Sequence, residues 1–105
     1  MEDHSPVYVG RLEIRPADHA ALVDGRPLTL TVRELQLLAE LAHNPERVMT
    51  RDEIYARVWG RPYRESDRSV DVYVGRLRAK LERALPGRRF IHTHTGIGYR
   101  FSPQA

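Results

Sequence analysis

The chain has no cysteine among its 105 residues, which excludes disulfides and thiolate metal sites and fits a reducing cytoplasm. It also lacks long apolar runs. Hydrophobic residues make up 41% of it but never accumulate toward the roughly 20 in a row that cross a bilayer, so no membrane partner is expected. The opening Met1-Glu2-Asp3-His4-Ser5-Pro6 is acidic, with no apolar segment behind it. It reads as a linker or tail over residues 1–6 and not as a secretory leader. No repeat or low-complexity segment stands out, and the remainder is the composition of one soluble globular domain with a modest core.

Acidic side chains are scarce in one region. Residues 1–67 hold nine basic and twelve acidic side chains, whereas residues 68–105 hold eight and two. An acidic body joined to a basic C-terminal third points to a surface for polyanions. No Ser/His/acid set, paired carboxylates or metal-ligand spacing is visible, so neither an enzyme nor a cofactor is expected.

The first thirty residues read as short strands: Val7–Val9, Leu12–Ile14, Ala20–Val23 and a last one over 26–29, the latter two joined by the hairpin signal Asp24-Gly25. At Thr31 the period changes. Thr31-Val32-Arg33-Glu34 has the capping-box form, and Val32, Leu35, Leu38, Leu41 and Ala42 then recur at helical spacing until Asn44-Pro45. Thr50-Arg51-Asp52-Glu53 repeats the box and opens a second helix through Ile54, Val58 and Trp59 to Gly60; residues 60–66 form a loop.

A third helix spans from about Asp67–Ser69 to Leu85, where Pro86-Gly87 ends it. At 100° per residue, Val70, Tyr73, Val74, Leu77, Leu81, Ala84 and Leu85 form the buried stripe. The opposite face carries Arg68, Ser69, Val72, Gly75, Arg76, Ala79 and Arg83, with no acid. A solvated face usually mixes in glutamates for i,i+4 pairing. Val72 and Gly75 gain nothing from water but allow close approach to another surface. On the flank, Arg78 has Asp71 or Glu82 as a candidate ion-pair partner.

The stretch "HTHTGIGYRF" at 92–101 allows three readings. His92 and His94 share a strand face, as a metal pair would, but no further ligand has a fitting spacing. Gly96-Ile97-Gly98 lacks the flanking residues and the following helix of a nucleotide loop. A hairpin remains, with both glycines available for positive φ at its tip, and Thr93 and Thr95 on one face. If His94 lies near phosphates, its protonation tightens polyanion binding toward pH 6.

The order is small sheet, three helices, hairpin. The run Arg68-Ser69-Val70-Asp71-Val72-Tyr73-Val74-Gly75-Arg76-Leu77-Arg78-Ala79-Lys80-Leu81, then Ile91-His92-Thr93 and Gly96-Ile97-Gly98-Tyr99-Arg100-Phe101, strongly resembles the C-terminal effector domain of OmpR/PhoB-type response regulators. Residues 28–60 resemble that family's first two helices. The resemblance implies an α+β winged helix-turn-helix over 7–102: an N-terminal sheet at 7–30, three helices at 31–85 and a wing at 90–102, with 103–105 as a tail. It implies sequence-specific binding of double-stranded DNA and regulation of transcription initiation in a two-component system, with the third helix in the major groove and the wing on the adjacent minor groove. Carried across, Val72 and Arg76 meet bases, and Arg68, Ser69 and Arg78 meet phosphates or base edges. Arg51 and Trp59 contact backbone, and Thr93 and Thr95 belong to the wing.

The loop Arg61, Pro62, Tyr63, Arg64 and Glu65 corresponds to an RNA polymerase contact. Also implied are a homodimer on repeated half-sites, a sensor histidine kinase acting through a receiver domain outside these residues, and a bacterial cytoplasmic, nucleoid-associated location. One departure stands out: the family's wing commonly reads Thr-Val-Arg-Gly, whereas this chain has Thr93-His94-Thr95-Gly96, implying a weaker minor-groove grip. The competing reading is a winged helix that offers its basic face to an acidic protein partner instead of DNA.

Overall fold

The computed structural model describes residues 4–64 and 66–104. Strands β1 (Val7–Val9), β2 (Leu12–Arg15), β3 (Ala20–Val23) and β4 (Arg26–Pro27) form an antiparallel meander in sequence order. Asp24 and Gly25 have φ of 53° and 77°, the paired left-handed conformation of a two-residue hairpin turn. Leu12, Ile14 and Ala21 supply the sheet's buried face.

Helix α1 (Val32–Ala42) starts at the Thr31 capping box: Glu34 N donates to Thr31 Oγ1 at 3.1 Å, and Thr31 N donates to Glu34 Oε1 at 2.8 Å. Helix α2 (Arg51–Trp59) repeats this at Thr50 and Glu53 and closes on left-handed Gly60. Each box satisfies two of the amides orphaned at a helix start. Helix α3 (Ser69–Ala84) is capped differently: Ser69 N donates to Asp67 Oδ1 at 2.8 Å.

Strands β5 (Val48–Thr50), β6 (Arg89–His94) and β7 (Gly98–Gln104) form a second antiparallel sheet in the order β5-β7-β6. The expected wing hairpin is therefore two strands of three, and β7 runs past Ser102 into the residues read as a tail. β5 has no sequence expectation behind it.

The core joins Leu37, Leu38 and Leu41 of α1, Ile54 of α2, Val70, Val74 and Leu77 of α3 and Phe101 of β7, all nearly inaccessible. Each such side chain contributes about 1.5–3 kcal/mol of burial. Beyond the burial of Leu37 and Ala39, which lie outside the expected stripe, two α1 positions differ from expectation. Val32, at the first helical residue, is 64% exposed. Glu34 is 2% exposed and bonds Lys80 Nζ of α3 at 2.6 Å. Burial pushes the Glu34 carboxyl up, but the hydrogen bonds from Lys80 and Thr31 outweigh it and hold the group below its ordinary value. A capping residue thus also pins α1 to α3.

Candidate nucleic-acid interface

Helix α3 buries Val70, Val74, Leu77 and Leu81, with Tyr73 and Ala84 of the expected stripe only partly buried, which turns the other side outward. Arg68, Val72, Gly75, Arg76, Ala79 and Arg83 are all exposed, and Ser69 is partly so. Val72 remains 45% exposed. The Arg76 guanidinium lies 5.1 Å from the Tyr73 ring centre, a cation–π contact that limits its freedom, and the side chain is exposed. Gly75 is helical, and a Cβ built there meets no atom within 4 Å. Nothing inside the protein requires a glycine at this position.

The acid on the neighbouring flank is neutralised. Asp71 Oδ1 accepts from Arg51 Nε at 2.8 Å and from the Tyr99 hydroxyl. Burial pushes the Asp71 carboxyl up, yet the bonds from Tyr99 and Arg51 leave it below its ordinary value, while burial and Asp71 raise Tyr99. Arg51 also stacks 5.2 Å from the Tyr99 ring centre. One cluster therefore ties the start of α2, the flank of α3 and the wing strand β7 together. Asp71 is one of only two acids in the basic third, the signal that could have flagged it.

Arg78 takes neither expected acid. Its Nε and Nη2 donate to Ile91 O at 3.1 and 2.9 Å, and Nη2 also reaches Thr93 Oγ1 at 2.7 Å. Its guanidinium sits 5.4 Å from the Tyr99 ring centre, and burial lowers its pKa. Arg78 thus fixes β6 against α3. Thr93, expected to face a ligand, is exposed but accepts from Arg78.

At the wing tip Ile97 N donates to His94 O at 2.9 Å, Thr95 is exposed, and Ile97 is 57% exposed. Gly96 has φ of 76° as expected, but Gly98 does not adopt a positive φ. A Cβ on Gly98 would lie 1.9 Å from Met49 O, so this glycine exists for close approach to β5. His92 Nε2 lies 2.6 Å from Ser102 O, and His94 Nε2 accepts from Arg100 Nε at 3.1 Å. His94 is held by the neighbouring strand. Among the described residues no group of three or more His, Asp or Glu is arranged to hold a metal ion.

Trp59 is half-buried, stacked on Tyr55 at 5.1 Å and edge-on to Tyr73 at 5.5 Å, with Arg33 over its ring. It buttresses the ring on which Arg76 rests. In the following loop Arg61, Pro62 and Arg64 are exposed, while Tyr63 is anchored against Tyr55. Glu65 lies outside the described residues.

The family profile described as transcriptional regulatory protein, C terminal, matches residues 25–101. The phosphate regulon transcriptional regulatory protein PhoB of Pseudomonas aeruginosa is 33% identical over 104 residues, 99% of this chain and 44% of its own length. The DNA-binding response regulator MtrA of Mycolicibacterium smegmatis is 37% identical over 95 residues, 90% of this chain and 42% of its own. The chain therefore spans less than half the length of these relatives. Among solved structures, the DNA-binding domain of CpxR from E. coli superposes with a TM-score of 0.85 at 30% identity, covering 93% of this chain and 96% of that one. The Klebsiella pneumoniae RstA DNA-binding domain in complex with the RstA box gives 0.83 at 32%, covering 94% and 98%.

Proposed function

The chain belongs to the family of C-terminal domains of transcriptional regulatory proteins, those of OmpR/PhoB-type response regulators, and from this we propose that it binds double-stranded DNA sequence-specifically and regulates transcription initiation. The observation that carries the reading is the open, carboxylate-free face of α3, from Arg68 to Arg83. A helix fits a major groove about 12 Å wide, and a guanidinium donating to guanine O6 and N7 discriminates by about 1–3 kcal/mol. Arg76 takes that role, and Val72 packs on a thymine methyl. Arg68, Ser69, Thr93 and Thr95 contact phosphates and set register. Arg51 and Trp59 act from behind, and Arg78 braces the wing against α3 through Nε and Nη2.

The whole regulator works as the output end of a two-component system in the bacterial cytoplasm, at the nucleoid. A receiver domain carries the signal from a sensor histidine kinase, the protein dimerises on repeated half-sites, and Arg61, Pro62, Tyr63, Arg64 and Glu65 approach RNA polymerase. Footprinting against genomic DNA fragments tests this. The reading expects protected sites, binding that weakens steeply with salt, and loss of sequence preference in Arg76→Ala. Binding to an acidic protein with no duplex protection would refute it.

A further inference from the structure

Beside the recognition face lies a cleft in which the family resemblance gives a role to Arg78 and Thr93 but none to Arg88 or Arg89. It occupies about 500 Å³ between the C-terminal half of α3 and β6, and its polar walls are Arg78, Glu82, Arg88, Arg89, His92 and Thr93. Three guanidinium groups thus face one carboxylate. Glu82 is engaged elsewhere, accepting from Gly87 N at 3.4 Å. Among the described residues Arg78, Arg88 and Arg89 form no ion pair. Three positive charges drawn into one concave surface with a single carboxylate among them leave the cleft net positive.

Two details turn this from a basic patch into a prepared site. Arg88 Nε is buried and has no hydrogen-bond partner, although its guanidinium is steadied 5.8 Å from the Phe90 ring centre. A buried, unsatisfied donor of this kind is costly and calls for a reason. In addition, Arg78 commits Nε and Nη2 to Ile91 and Thr93 and makes no hydrogen bond through Nη1 among the described residues. Fork-shaped donors suit the two non-bridging oxygens of a backbone phosphate. The cleft also begins at Arg78 and Thr93, the residues that join α3 to the wing.

We infer that the α3–β6 cleft binds one backbone phosphate of the duplex through Arg88, Arg89 and the free side of Arg78, extending the footprint beyond the recognition helix and wing tip. This rests on the DNA-binding reading but is separable from it. A phosphate contact contributes to affinity at every sequence alike, whereas Arg76 contributes to the choice among sequences.

The test is a fluorescence-anisotropy titration of the chain with a duplex carrying a single half-site selected from a random pool, repeated over 50–200 mM salt. Arg88→Gln and Arg89→Gln should each weaken binding, and together should reduce the slope of log K against log salt by about one, the value for one neutralised phosphate. Sequence ranking should remain as in wild type. Arg89→Lys should retain the slope. Arg89 is exposed on β6, so its variants report binding without a folding defect, and thermal unfolding checks Arg88→Gln. If wild type binds with a steep slope and Arg76→Ala loses ranking while the cleft variants keep the full slope, the cleft proposal is overturned and the DNA reading stands. A loss confined to duplexes with two half-sites would assign the cleft to contact between adjacent copies and would also overturn it. If wild type shows no salt-dependent binding, the underlying reading itself fails.

Discussion

Replacing Gly75 with alanine separates folding from recognition. The residue sits mid-helix in α3, exposed, with a helical backbone and no atom within 4 Å of a would-be Cβ. Helix propensity alone therefore says that Gly75→Ala stabilises the domain by roughly 0.5–1 kcal/mol. For a domain of this size that raises Tm by roughly 2–8 °C. If Gly75 is instead the point where the helix backbone approaches base edges, the added methyl group intrudes on a packed surface, at about 1–3 kcal/mol. The dissociation constant then rises roughly 5- to 150-fold. Circular dichroism melts give the first quantity and anisotropy on a selected duplex the second. The expected outcome is a more stable protein that binds DNA less well. A variant that is more stable and binds every duplex as wild type does would place Gly75 away from the contact and refute the argument.

Four further outcomes follow. Arg76→Ala should cost about 1–3 kcal/mol on the preferred duplex and flatten discrimination at one G·C pair, read by competition with single-base variants. Lys80→Met leaves the Glu34 carboxylate buried without its cation and should destabilise by about 3 kcal/mol in denaturant melts at pH 7. Glu34 and Asp71 both titrate below their ordinary values in the folded state. Their stabilisation is therefore complete above the unfolded carboxylate range near pH 4 and is lost as pH falls through the folded values. Glu34→Gln should be less stable than wild type at pH 7, with the gap closing below about pH 4 in unfolding curves. Gly98→Ala forces β5 and β7 apart, because its Cβ meets Met49 O at 1.9 Å; a loss of about 3 kcal/mol or more is expected in thermal melts.

What could be read in advance was what neighbouring residues decide among themselves. The capping boxes at Thr31 and Thr50, the stop at Gly60, the Asp24-Gly25 turn and the two sides of α3 all depend on residues within a few positions of each other, and all are present. The departures are non-local. β5 is three residues with only Met49 buried, and its strand character comes from pairing with β7, about fifty residues on. The acids nearest Arg78 in sequence lie on its own helix, whereas its acceptors lie on β6. Gly98 has the sequence context of a turn residue, but its reason is the backbone of β5 pressed against it. Glu34 was legible as a cap; its burial depended on where Lys80 of α3 would fall. The candidate site behaves the same way. The outward residues were readable from helical phase, but the Arg51–Asp71–Tyr99 cluster that orients them joins three elements distant in sequence.

Amide chemical-shift mapping during titration with a selected duplex locates the surface that meets DNA. The largest shifts should fall on the outward side of α3, from Arg68 through Val72, Gly75, Arg76 and Ala79 to Arg83, continuing onto the wing at Thr93 and Thr95. Shifts centred instead on the outer face of the first sheet, around Tyr8, Glu13 and Leu22, with α3 unmoved, would contradict that placement.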